Sequence, residues 1–143
     1  MAHKFTVPGE PKAKARPRVT KGGITYTPKD TVIYENLVKM CYRQQVGKFA
    51  GADNAPITLH IDAYFTIPKS TSQKKRREML AGVIRPTKKP DGDNIYKIVA
   101  DSLNGIAYKD DSQIVDCIVR KWYADVPRVE VILSETATEG EIL

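Results

Sequence analysis

The tetrapeptide Asp91-Gly92-Asp93-Asn94 sets two carboxylates two residues apart with only glycine between them. In an extended stretch residues i and i+2 point the same way, so both acids can face one side. Two like charges that close are unfavourable unless a cation sits between them. A further acidic pair, Asp110-Asp111, follows, and three convergent carboxylates from Asp91, Asp93 and Asp111 would be hard oxygen ligands that suit Mg²⁺ or Mn²⁺ better than zinc. The residues zinc favours are scarce. His3 and His60 are the only histidines, His60 falls on the presumed outer face of a strand, and Cys41 and Cys117 lie in no CxxC or Cys/His cluster. A calcium EF-hand loop fails too, because counting from Asp91 its glycine position is Tyr96 and its bidentate Glu position is Ser102.

The charge around these acids is uneven. The net charge is +6, but residues 1–90 carry a balance of +12 and residues 91–143 a balance of −6. A polyanion is drawn to the first part and repelled by the second unless its acids are neutralised, for instance by a divalent metal. A basic surface beside an acidic cluster is what a metal-dependent enzyme acting on nucleic acid requires. The plainer reading of each feature stands beside this one. Asp-Gly-Asp-Asn also makes a turn and a helix cap, Lys97 could be an ordinary surface pair with Asp93 contributing about 0.3–0.5 kcal/mol, and lysine runs also occur as solvated surface.

The elements that must position these groups follow from periodicity. Lys4-Phe5-Thr6-Val7 can start a strand, ended by Pro8, Gly9 and Pro11. The basic stretch Lys12 to Gly23 has no apolar periodicity and reads as an exposed loop or a ribbon. Thr27-Pro28-Lys29-Asp30 offers an N-cap threonine with proline at the first helical position. The helix it opens carries an apolar stripe through Ile33, Leu37, Met40 and Cys41 and fades near Gly47. Strict alternation over Ile57–Ile67 predicts a half-buried strand, stopped by Pro68, and a short basic helix follows through Met79 and Leu80. An amphipathic helix runs from about Asn94 to Leu103, capped by Asp93 or Asn94, with Ile95, Ile98, Val99 and Leu103 on its core face. Its other face carries Asp93, Asn94, Lys97, Asp101 and Asn104, and is either solvent or site. A helix of about 10 residues is about 15 Å long and the six residues after it return at most about 20 Å, so Asp111 can reach Asp91 and Asp93. Alternating stretches at Gln113–Trp122 and Arg128–Leu133 predict antiparallel strands joined around Asp125 and Pro127, and the chain from Ser134 reads as a frayed tail. The expectation is one α+β domain over residues 1–143, with a mixed or largely antiparallel sheet packed by two main helices.

At this point the residues resemble a known family. Asp91-Gly-Asp93-Asn94-x-x-Lys97-x-x-x-Asp101-x-Leu103-Asn104-Gly105, with Asp110-Asp111-Ser-Gln113-Ile114-Val115 after it, is similar to the pattern of the RusA-type Holliday-junction resolvases, endodeoxyribonucleases of bacteria and their prophages. The resemblance implies a homodimer that cleaves four-way DNA junctions with a divalent metal. It implies metal-binding aspartates at Asp91, Asp93 and Asp111 and an essential lysine at Lys97, with Asp101 and Asp110 in supporting roles. Physical reasoning fits that assignment. Phosphodiester hydrolysis needs an activated water, in-line approach and stabilised charge, and carboxylate-held Mg²⁺ can supply all three. Asp91 and Asp111 are the best ligands, Asp93 a ligand or an orienter of the attacking water, and Lys97 a cation for the scissile phosphate or a balance for the acids. Lys12, Lys14, Arg16, Arg18, Lys21, Lys74, Lys75, Arg76, Arg77, Lys88 and Lys89 would track the DNA backbone. Two rivals are a non-catalytic basic DNA-binding protein and a metal-dependent phosphodiesterase acting on another nucleic acid.

Composition sets the remaining bounds. Hydrophobic residues at 41% and charged ones at 28% describe a globular protein. No apolar run approaches the roughly 20 residues of a membrane span, and Met1 to Lys12 lacks the apolar stretch of a secretion signal. No membrane association and a cytoplasmic location are the expectation, with both cysteines reduced.

Overall fold

Alternation over strand β4 (Ile57–Thr66) buries Ile57, Leu59, Ile61, Ala63 and Phe65 and leaves the intervening side chains on the opposite face. This strand is central in the computed structural model, which describes residues 2–137. Around it lie β1 (His3–Pro8), a separate ribbon of β2 (Arg18–Val19) and β3 (Thr25–Tyr26), and α1 (Lys29–Gln45). Helices α2 (Gln73–Leu80) and α3 (Gly92–Ser102), a 3-10 turn at Asp111–Gln113, β5 (Ile114–Ala124) and β6 (Arg128–Glu135) complete the chain. The main sheet has the order β1-β6-β4-β5, with β6 antiparallel to both neighbours and β5 parallel to β4. The architecture is α+β with a mixed sheet, as expected.

The expected antiparallel strands β5 and β6 form and are joined around Asp125 and Pro127, but they do not pair with each other. The two strands run in opposite directions but β4 lies between them, so Asp125–Pro127 carries the chain past the end of β4. That crossing is about 10 Å, two strand spacings, which this connection can reach. The presumed tail from Ser134 also begins too early: Ser134 and Glu135 belong to β6 and pair with Thr58 and Ile57. The remainder of that tail beyond residue 137 lies outside the described residues.

Helices α1 and α3 cover one face of the sheet. Tyr34, Val38, Cys41 and Tyr42 of α1 and Ile95, Ile98 and Val99 of α3 join Phe5, Val7, Leu59, Ile61, Val131 and Leu133 in one core. Burial of each large aliphatic side chain here contributes about 1.5–3 kcal/mol. The stripe on α1 differs from the expected one: Ile33 and Met40 are exposed, while Thr31, Tyr34, Val38 and Tyr42 face inward with Cys41. Its N-cap is Pro28 rather than Thr27.

The opposite face carries Tyr64 and Trp122, paired in register across β4 and β5. Trp122 Nε1 donates to Asp62 Oδ1 at 2.9 Å, and His60 Nε2 lies 3.2 Å from Asp62 Oδ2, so His60 is on the outer face as expected. The Arg85 guanidinium sits 3.5 Å from the Trp122 ring centroid. Gly82, at φ +79°, closes onto the same ring so tightly that a Cβ would stand 3.0 Å from it. This fixes the loop leaving α2, and therefore the run that leads into α3. Among the described residues no helix is long and apolar enough to cross a membrane.

Candidate active site

Helix α3 begins two residues before the expected start. Its N-cap is Asp91, at φ −69° and ψ 158°, and the Asp91 carbonyl accepts from Ile95 N at 3.0 Å. The cap's side chain forms no capping hydrogen bond, so the Asp91 carboxylate is left free while its backbone starts the helix. Asp93 is exposed in the first turn. Both acids therefore sit at the positive end of the helix dipole, which offsets part of their mutual repulsion. Gly92 packs against β5, where its Cβ position is 3.8 Å from Val119 Cγ1, so the glycine separating the acids also brings the helix start close to the strand.

The loop before α3 is held by backbone acceptors. Arg85 Nε donates to the Lys121 carbonyl at 2.6 Å, and Lys121 Nζ donates to the Lys88 carbonyl at 2.5 Å. Lys88 and Lys121 also approach the Phe65 ring, at 5.9 and 5.3 Å from its centroid. Lys89, beside the cis Lys89–Pro90 peptide, then lines a cleft with Pro11, Lys12, Ala13, Asp91 and Asn94.

A second cleft lies along the same helix, formed by Lys14, Ala15, Arg16 and Pro17 against Asn94 and Lys97. The helix thus receives the basic strap on its Asn94/Lys97 flank. On its other flank Gly92, Asp93 and Tyr96 face Cys117 and Val119 of β5. Lys97 is exposed and, among the described residues, forms no salt bridge, so the Asp93–Lys97 surface pair is absent.

Asp111 approaches from the 3-10 turn. Burial raises the Tyr96 phenol, and the charges of Cys117, Asp111 and Asp101 push it further up. Burial likewise raises Tyr108, with Asp111 its largest charged contributor, while Tyr108 Oη donates to the Ala100 carbonyl at 2.7 Å. Asp110 is the N-cap of the turn in a full capping box, and its bonds from Ser112 hold its carboxyl below the usual range.

Among the described residues no three His, Cys, Asp or Glu side chains gather into a metal-sized group, so Asp91, Asp93 and Asp111 are not drawn together within this chain. Asp91 and Asp93 nevertheless suit Mg²⁺, which is commonly held by one or two carboxylates together with water and substrate phosphate rather than by an all-protein cage.

The basic residues named from sequence divide into groups. Lys12, Lys89, Lys14 and Arg16 line the clefts beside Asp91, Asn94 and Lys97, with Lys88 in the supporting loop. Lys14 is already engaged, donating to Glu35 and lying near Asp101. Arg18 and Lys21 are exposed on the ribbon. Lys74, Lys75 and Arg77 are exposed on α2, outside both clefts, and Arg76 is paired with Asp125. Sequence reasoning missed Asn94 as a lining residue of both clefts, although it stood inside the motif. It also missed Lys121 as a brace, for which an alternating strand gives no signal.

The family profile described as endodeoxyribonuclease RusA matches residues 8–134. The chain is also similar to a Bacillus subtilis (strain 168) protein bearing the name "Uncharacterized protein YqaN", with 39% identity over 139 residues that cover 94% of this chain and 96% of that protein.

Proposed function

This chain belongs to the RusA endodeoxyribonuclease family, and from that premise we propose that it is a Mg²⁺-dependent resolvase making paired cuts across four-way DNA junctions as a homodimer, with Mn²⁺ a possible substitute. The observation that carries the reading is the pair of carboxylates at the start of α3, unpaired among the described residues, of which Asp91 lines the cleft shared with Lys12 and Lys89 while Asp93 lies on the flank facing β5. When bound, the divalent ion supplies an activated water and neutralises charge on the transferred phosphoryl group. Asp91 and Asp93 would hold it, with Asp111, which is not gathered with them within one chain, as a further donor across a dimer.

The chain's own residues do the remaining work. Lys97, one turn beyond Asp93 and without an acidic partner among the described residues, presents an ammonium where negative charge builds on the phosphate. Arg16 and Lys12 line the approach and Lys88–Lys89 extend it, positioning the backbone without reading sequence. Asn94 offers a neutral amide between the clefts. A dimer would present two such sites for two cuts.

The deciding experiment incubates the purified protein with a synthetic four-way junction and a matching linear duplex, with and without Mg²⁺. Paired nicking of the junction that stops in excess chelator supports the reading. Salt-sensitive binding with no cleavage at any Mg²⁺ concentration identifies a non-catalytic DNA-binding protein, and preferential cutting of RNA identifies a different phosphodiesterase.

A further inference from the structure

The strap that borders Lys97 continues into the β2–β3 ribbon, whose strands, among the described residues, pair only with each other. Its turn is well tied: Thr20 N donates to the Ile24 carbonyl at 2.8 Å, Gly23 N to the Thr20 carbonyl at 2.9 Å, and Ile24 N to Thr20 Oγ1 at 3.1 Å. The ribbon is thus preorganised, yet its large apolar side chains find no core. Val19 is 65% exposed, Ile24 68% and Tyr26 47%. Scattered exposed apolar residues are ordinary, but this narrow ribbon exposes them on both faces, Tyr26 on the face it shares with Arg18 and Val19 on the other, with Ile24 at the turn.

The composition selects the partner. From Pro11 to Lys29 the chain carries Lys12, Lys14, Arg16, Arg18, Lys21 and Lys29 and no acid, which complements a polyanion. In register, Arg18 stands opposite Tyr26 and Val19 opposite Thr25. Cation and apolar contact are therefore interleaved on one narrow ribbon. A duplex groove presents hydrogen-bonding base edges, for which valine and isoleucine have no donor or acceptor. Base faces are what they can cover, and proteins insert such apolar wedges where steps are unstacked. A branched DNA already exposes base faces at its centre, so the unstacking cost is reduced.

We propose that this ribbon is a branch-point wedge: Val19, Ile24 and Tyr26 stack on bases at the open centre of a branched DNA, while Arg18 and Lys21 grip the flanking phosphates. The proposal deepens the nuclease reading and rests on it for the substrate class. The strap that leads into the ribbon lines a cleft with Lys97 and is tied to α3 through Lys14 and Asp101.

The test uses a four-way junction carrying 2-aminopurine at its centre, with the matched duplex, in chelator so that no cutting intervenes. Wild type is expected to raise the fluorescence on the junction. Ile24→Ser/Tyr26→Ser is expected to abolish that rise and to lower the junction-over-duplex affinity ratio by about 5- to 100-fold, the range for loss of one base–aromatic stacking contact. Ile24→Phe, which enlarges the stacking surface, keeps the signal, and Val126→Ser, at another site 65% exposed, leaves it unchanged. An unchanged signal and ratio in the double variant overturns the wedge, as does a changed molecular mass, which would assign the ribbon to an interface between copies of this chain. Should the double variant fail to fold, loss of signal in Ile24→Phe overturns the wedge and a signal kept or raised supports it. Cleavage in Mg²⁺ is scored separately: a wild type that cuts no DNA sinks the nuclease reading, whereas intact cleavage with no fluorescence change sinks only the wedge.

Discussion

Lys14 Nζ donates to Glu35 Oε2 at 2.7 Å and lies 3.6 Å from Asp101 Oδ2, so one ammonium ties the basic strap to both α1 and α3. Burial alone would lower its pKa, but the bonds and charges of Glu35 and Asp101 outweigh this and raise it. The sign follows: the tie stabilises fully below the unfolded-state value near 10.4 and is lost as pH rises through the higher folded value. Lys14→Met or Glu35→Gln should cost about 1 kcal/mol or less, since the pair keeps some contact with solvent. Both should speed tryptic cutting after Arg18 and Lys21. Were Lys14 a phosphate contact instead, Lys14→Met would reduce the log–log salt slope of DNA binding by about 0.9; the tie predicts a slope close to wild type.

Asp91→Asn preserves size and the helix-starting backbone but removes one negative charge from the start of α3. Single-turnover junction cleavage should collapse while junction affinity persists or rises, because the DNA-facing surface becomes more positive. Asp93→Asn should behave alike if it is a ligand, and should leave measurable metal-dependent turnover if it only orients water. Asp111→Asn should also lose cleavage. Wild-type cleavage by Asp91→Asn would remove this acid from the reaction.

Much of this arrangement is legible in the chain because its causes are local. The core face of α3 and the alternation of β4 follow from side-chain period alone, and so does the placement of Asp91, Asp93, Asn94 and Lys97 along one short run. The stripe of α1 was misread because polarity of residue type is not position: Tyr34 and Tyr42 bury large rings, Thr31 goes with them, and Ile33 and Met40 are left outside. The last two strands and their connection are legible from alternation, but the partner of β5 is not, because its parallel match to β4 depends on residues far back in the sequence. The partners of Lys14 and the Lys121 brace are long-range contacts of the same kind.

Cys117 lies at the open edge of β5 opposite Tyr96, and partial burial lifts its thiol to about 11. At pH 8 it is therefore protonated and a weak nucleophile despite the residue's exposure. Iodoacetamide should label native protein slowly at pH 8 and faster as pH approaches 11. Cys41, buried on the core face of α1, should label only on unfolding. Rapid labelling of Cys117 at pH 8 in intact-mass measurements would contradict this environment.

Lys97→Ala separates catalysis from surface electrostatics. The side chain is exposed, pairs with no acid among the described residues, and borders the cleft shared by Asn94 and Arg16. Its removal should therefore leave the melting temperature within about 1–2 °C of wild type, the scale of a surface change below 0.5 kcal/mol in a domain of this size. The acids of α3 remain, so divalent ions should still be held. If the ammonium meets charge building on the phosphate, single-turnover cleavage at saturating Mg²⁺ should fall about 10²- to 10³-fold, the loss typical of one electrostatic donor. Junction affinity should fall only by the value of one cation. Lys97→Arg, which retains the charge on a bulkier head, should recover part of the rate. A rate in Lys97→Ala equal to wild type, with affinity and melting also unchanged, would leave the lysine as solvated surface and shift the charge-stabilising role to Arg16.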